Sequence, residues 1–169
     1  MTVNDANLLV RKLVGDDDYH DVSDVLASYY DIAQREIATT AAPIRKTIKV
    51  PCGVSVALPK DVYRLANVSA GYVRDDINHI TVEGSGEAVV CYLAYPQRIG
   101  ENNDGTYEFE VCAEAQSAIP YFAAAQTVLA DSDMRRYYAF MDAFNSILAN
   151  VAESRTLSAK ITVVRTEEM

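Results

Sequence analysis

Reactive groups are scarce in this chain. It has two histidines, His20 and His79, in 169 residues. Neither stands in a local signature with a serine or cysteine, so no nucleophile–base pair is written in the sequence. Cys52, Cys91 and Cys112 are odd in number and far apart, and no two have metal-ligand spacing. Cys91 falls in an apolar run and Cys112 in a predicted helix, so both are expected as buried thiols in a reducing compartment. There is no Walker loop and no dinucleotide fingerprint. Gly84-Ser85-Gly86 imitates part of a phosphate loop but lacks the remaining glycine and the following helix, and reads as a hairpin turn. No apolar run approaches membrane-spanning length, and no basic stretch followed by a long apolar one opens the chain. The expectation is a soluble protein with no membrane partner and no cleaved export signal. Basic residues are also in short supply, 15 against 24 acidic, for a net charge of −9 and a pI of about 4.6. That balance argues against tight binding of nucleic acid through its phosphates. The chain therefore reads as non-enzymatic, with no catalytic residues, no cofactor and no metal.

What the chain does have is enough apolar residue, 50%, to build a core. Its length predicts a single domain. The organising stretch is residues 114–129, EAQSAIPYFAAAQTVL, where Ala, Gln and Leu favour helix. Helix is predicted from about residue 108 to 130, with Ala115, Ala118, Ile119, Phe122, Ala123, Gln126 and Leu129 on one small-sided face. Pro120 is expected to bend it. Upstream, Asn4 or Asp5 caps a short helix carrying Leu8, Leu9, Leu13 and Val14 and ended by Gly15. Asp16, Asp17, Asp18, Asp21 and Asp24 lack calcium-loop spacing and read as carboxylates favouring the positive end of the next helix. That helix is predicted over residues 22–40, with Val22, Val25, Leu26, Tyr29, Ala33 and Ile37 as its stripe, widened by Tyr30 and Ile32.

Residues 44–50 alternate as a half-buried strand whose Arg45, Lys46 and Lys49 form the most concentrated basic patch. With no aromatics interleaved, a solvated strand face is the better reading than a nucleic-acid site. Further strands are predicted at 54–58, 64–73, 77–82 and 88–95, joined by turns at 74–76 and 84–86, giving a small antiparallel sheet. His79 has no evident partner. The polar loop GENNDG at 100–105 returns to the helices. A last helix, capped by Asp131 or Asp133, is predicted to end near residue 153, with Tyr137, Phe140, Met141, Phe144, Ile147, Leu148 and Val151 as its stripe. Ile161–Val164 has strand character. It is expected to pair with this chain's own sheet or with an edge of another subunit. The fold class is α+β, with a helical core of about four helices at 1–43 and 106–154. An antiparallel β-subdomain is inserted at 44–105, and an extended C-terminal arm follows at 155–169.

This order of elements resembles the head–tail connector, or neck adaptor, proteins of tailed bacteriophages. The matching pieces are Tyr29-Tyr30-Asp31-Ile32-Ala33-Gln34-Arg35-Glu36-Ile37 with Pro43-Ile44, then Leu58-Pro59-Lys60-Asp61-Val62, and Val90-Cys91-Tyr92 leading to Tyr95-Pro96. They continue with Tyr107 and with Glu114-Ala115-Gln116-Ser117-Ala118-Ile119-Pro120-Tyr121-Phe122-Ala123-Ala124, followed by an acidic turn and a Tyr-rich last helix. Leu58, Pro59, Asp61, Pro96 and Pro120 are the structural signature. The resemblance implies a virion protein of the neck, assembled from the host cytoplasm into a ring, commonly of twelve copies, between the portal and a tail or stopper protein. Genomic DNA would pass through its lumen without specific binding, and acidic side chains lining that lumen would keep it from sticking. By position in the family, the C-terminal segment would dock on the portal or a neighbouring subunit, through Leu157, Ile161, Thr162, Val163 and Val164. Another neck or tail-completion protein, or a small phage-encoded enzyme or host-binding protein, are the alternative readings.

Overall fold

The computed structural model describes residues 1–99 and 105–167, with side chains described as far as Thr156. The fold is α+β, four long helices with two small antiparallel sheets. The chain divides into two compact units, Met1–Ala42 with Arg98–Met169, and Pro43–Gln97. The strand unit thus closes at Gln97, before the loop that the sequence reading had included in it. Apart from Gly105, that loop lies outside the described residues.

In the helical unit, α1 (Val3–Val14) is followed by α2 (Asp16–Val22), a 3-10 turn (Ser23–Val25) and α3 (Leu26–Thr40). Thr2, rather than Asn4 or Asp5, caps α1. Its hydroxyl accepts from the Asp5 N–H while the Asp5 carboxylate accepts from the Thr2 N–H, a reciprocal capping box. The buried face of α1 is Val3, Ala6, Val10 and Val14, and the predicted Leu8 and Leu9 are exposed. The long helix predicted from residue 22 is interrupted by the 3-10 turn, and the buried stripe of α3 is Leu26, Tyr30, Ala33, Gln34, Ile37 and Ala38. Val25 and Ile32 are exposed instead.

The predicted bent helix from residue 108 is in fact two helices, α4 (Ala113–Gln116) and α5 (Ile119–Ala130). Residues before α4 run extended, with Glu108 bridging Thr2. Pro120 does not kink a helix interior. It sits in the first turn of α5, where its missing N–H leaves no hydrogen bond broken. Ile119, Ala123, Ala124, Ala125, Thr127 and Val128 are all buried, so α5 is enclosed nearly all round, as its apolar composition requires. It packs against α1, α3 and α6.

Helix α6 spans Met134–Glu167. Asp133 caps it, its carboxylate accepting from the Arg136 N–H. The strand read at Ile161–Val164 is therefore corrected, because the backbone there continues α6 well past residue 153. No Gly or Pro follows Glu153 to stop a helix, and Arg, Leu, Ala and Lys in the next turns extend one that is already nucleated. Strand preference, which depends on a neighbouring strand, has nothing comparable to act on.

The strand unit holds β1 (Ile44–Pro51), β2 (Ser55–Ala57), β3 (Val62–Val68), β4 (Tyr72–Arg74), β5 (His79–Val82) and β6 (Glu87–Ala94). Two three-stranded antiparallel sheets, β1-β6-β3 and β2-β5-β4, replace the single sheet expected. The run predicted at 64–73 breaks into β3 and β4, which belong to different sheets. Val50, Ile80, Val82, Ala88 and Val90 from both sheets, with Leu58 just after β2, form one core. Gly84 and Gly86, with φ of 107° and 86°, take left-handed conformations at the β5–β6 turn, which glycine adopts without strain.

Substituting Thr2 by Ala removes the acceptor for one orphan helix N–H. It is expected to lower stability by about 1 kcal/mol in urea unfolding. The Thr2 N–H and hydroxyl hold the Asp5 carboxyl below its ordinary pKa. The stabilisation linked to Asp5 is therefore fully present above the unfolded carboxylate pKa, and lost as pH falls through the depressed folded value. Thr2→Ala should accordingly lose part of the wild-type acid sensitivity.

Candidate interaction surfaces

Three polar side chains tie the extended segments of the helical unit to its helices. Gln116 accepts the Met1 ammonium at 2.6 Å and donates to the carbonyls of Phe109 and Val111, both at 2.9 Å. Asp31 accepts the Ile99 N–H at 2.8 Å, and buried Gln34 accepts the Glu110 N–H at 3.2 Å. Burial raises the Asp31 carboxyl pKa against that hydrogen bond and the nearby Arg98 and Arg35. Burial likewise pushes the Tyr107 phenol up to about 12, helped by Glu110. In both groups burial disfavours the charged form, and for the Tyr107 phenol the shift leads away from neutral pH.

Arg136 joins the start of α6 to the end of α1. Its guanidinium donates to the carbonyls of Leu13 and Val14, at 3.1 and 2.7 Å, and to Asp18 at 3.2 Å. A cation there also meets the negative end of the α1 dipole. Asp18 is thereby taken up within the unit, and Asp16 pairs with Arg11. The rest of the acidic stretch, Asp17, Asp21 and Asp24, is exposed along with His20.

Hollows lie on this unit among the described residues. One, of about 390 Å³, is lined by Asn4, Asn7, Leu8, Arg11 and Tyr19. Another, of about 460 Å³, runs between α4 and α6 and is lined by Glu114, Ile147, Asn150, Val151, Ser154 and Arg155. Hydrogen bonds at the start of α4, with a contribution from Arg155, hold the Glu114 carboxyl below its usual range. Val151 is the last buried residue among the described side chains of α6, yet the helix runs sixteen residues further. That is roughly 24 Å of helix at 1.5 Å per residue. Leu157, Ile161, Thr162, Val163 and Val164 all fall in this part of α6, and their side chains lie outside the described residues.

In the strand unit the signature residues form a structural corner. Leu58 is buried in the core, and its N–H donates to the Asn78 carbonyl at 2.6 Å. The Pro59 carbonyl accepts from Val62, closing the turn. Asp61 accepts Lys46 at 2.8 Å through its carboxylate and the Tyr95 N–H at 2.7 Å through its carbonyl. The start of β1 and the exit from β6, just before Pro96, are thus both fastened to one residue. Pro120 belongs to the other unit and has the separate role described above.

His79 has a partner the sequence did not disclose. Its Nδ1 lies 2.9 Å from Asp76, whose carboxylate also accepts the Asn78 and His79 N–H groups. Those bonds lower the Asp76 pKa, as Ser55 and Thr81 lower that of Asp75. The clustering fixes the β4–β5 turn. Among the described residues no three of His, Cys, Asp or Glu are grouped to hold a metal ion. The three cysteines are free and half-buried, so the expectation of buried Cys91 and Cys112 is corrected. Cys91 lies on the outer column of β6, and Cys112 immediately precedes α4 rather than lying inside a helix. No described helix is long and apolar enough to cross a membrane.

Charge divides sharply between the units. The strand unit has six basic and five acidic residues, the helical unit nine and nineteen, so the net charge sits on the helices. No family model matches the chain, and no curated protein matches it.

Proposed function

We propose that this chain is a structural protein of a tailed-bacteriophage virion, a head-to-tail adaptor forming a ring between portal and tail around the DNA channel. The observation that carries the reading is the length of α6, Met134–Glu167, more than twice that of any other helix in its unit. A helix of 34 residues, roughly 51 Å at 1.5 Å per residue, is suited to reach a partner outside its own chain. The resemblance in residue order supplies the identity of that partner, the portal, with a tail or stopper protein on the opposite side. Gln116, Arg136 and Asp61 hold segments together, which fits a scaffold better than a reaction centre. The excess acid of the helical unit disfavours adhesion of DNA, as a channel wall requires. The protein acts in the neck of the particle after assembly from the host cytoplasm.

Quantitative mass spectrometry of purified virions tests the reading. The chain is expected in the particle at a fixed ratio to the portal subunit, as a ring demands. Absence from particles that are otherwise complete and infectious would point to the enzyme or host-binding alternative. Presence at one or a few copies would point to a different neck or tail-completion part.

A further inference from the structure

We propose that the outer face of the β1-β6-β3 sheet is an interface that takes the α2 segment of a second copy of this chain, through patches of opposite charge. The proposal rests on the ring reading and names the surfaces that close the ring.

On that sheet, Ala88 and Val90 of β6 point into the core, so Glu87, Val89, Cys91 and Leu93 form the outer column, exposed at Glu87 and Val89, half-buried at Cys91 and buried at Leu93. The register sets Arg45, Thr47 and Lys49 of β1 opposite Leu93, Cys91 and Val89. Arg64 of β3 lies opposite Leu93 from the other side. One rung therefore carries a cation on each edge strand, roughly 10 Å apart at two strand spacings, and Lys49 lies roughly 13 Å further along β1 from Arg45. Arg45, Lys49 and Arg64 are exposed, and none has an ion-pair partner among the described residues. Lys46, on the opposite side of the strand, is the one already held by Asp61. Beside Lys49, Val89 is 38% exposed, an apolar side chain open to solvent. Glu87, paired with Pro51 at the end of the sheet, is the acid on this face.

The complement is present in the helical unit. Asp17, Asp21 and Asp24 recur at steps of four and three, which sets them along one side of α2 and the turn after it. They span roughly 11 Å of helix, close to the spread of the cations. They too are exposed and without an ion-pair partner among the described residues, unlike Asp16 and Asp18. Val25, adjoining Asp24, is 42% exposed. The sheet face thus offers three unpaired cations, offset by Glu87 at its end, and the α2 face three unpaired acids, each beside one exposed valine. Two different patches that fit each other make a heterologous contact, the kind that closes into a ring when the rotation allows. A nucleic-acid occupant of the sheet face is disfavoured by the acidic chain and by the lack of interleaved aromatics.

The test uses two charge-reversed versions of the full chain, Arg45→Glu/Lys49→Glu/Arg64→Glu and Asp17→Lys/Asp21→Lys/Asp24→Lys. Circular dichroism establishes that each is folded. In sedimentation velocity at low ionic strength the wild type is expected to self-associate. Each variant alone should do so about a hundredfold more weakly, because like charges now face each other. An equimolar mixture of the two should recover association, since each supplies the face that the other has lost. If both variants associate as the wild type does, the contact is elsewhere and the proposal falls while the ring reading stands. If neither the wild type nor the mixture associates, the proposal also falls, and the ring reading is judged separately by the particle stoichiometry.

Discussion

Replacing Phe144 by Ala is expected to lower the unfolding free energy by about 3–5 kcal/mol, read from urea denaturation, with the upper half of that range favoured. Phe144 is 2% exposed on α6, and its ring lies 5.3 Å from that of Phe122 on α5. The loss has two parts: the transfer of a benzyl group out of water, and the cavity left if the surroundings do not close. The neighbouring stretch of α5 is Ala123, Ala124 and Ala125, all fully buried. Alanines have no rotamers with which to fill a void, so the space stays open. A loss of this size is a large share of the ordinary 5–15 kcal/mol of a folded domain. Phe144→Leu, which keeps most of the volume, should cost about 1–1.5 kcal/mol. Equal effects from the two substitutions would mean that α5 and α6 do not pack as described.

Ending the chain after Thr156 is expected to separate folding from assembly. If the last part of α6 is reserved for a partner, as proposed, removing it should move the thermal midpoint by no more than about 2 °C. Incorporation into particles, measured by complementing a phage that lacks the gene product, should fall to background. The contrast carries the information. A segment packed within its own chain would cost stability when removed, whereas one reserved for a partner costs only attachment. A truncated chain that enters particles normally would leave α6 without the role assigned to it.

The sequence told most where a single local rule decided the outcome. Alternation in residues 44–50 placed β1, the glycines at 84 and 86 placed a hairpin turn, and Gly15 ended α1. The α+β class followed from helical periodicity at both ends and Val, Ile and Tyr in the middle. It failed where two rules competed. Pro120 was correctly read as incompatible with a helix interior, but the resolution was a new helix starting beside it, not a bend. Ile161–Val164 has strand propensity, yet the preceding helix had no stop signal and continued through it. Leu8, Leu9 and Ile32 were assigned inward as apolar residues, while the structure buries Val3, Ala6, Val10 and Gln34, and of the pair Tyr30 and Ile32 only Tyr30. Which apolar stripe faces inward depends on the neighbouring helices, and periodicity alone does not name them. The pairing of His79 with Asp76 spans three residues and could have been anticipated from the turn between them. The basic patch was legible at Arg45 and Lys49, but Arg64 joins it only through the register of β3 on β6.

The most direct measurement of the central proposal is cryo-electron microscopy of the virion neck. A chain with the fold described here should be traceable as repeated copies in one ring beneath the portal, with the end of α6 against a protein other than its own chain. Density in which every neck and tail position is filled by other polypeptides, with this chain nowhere in the particle, would contradict it.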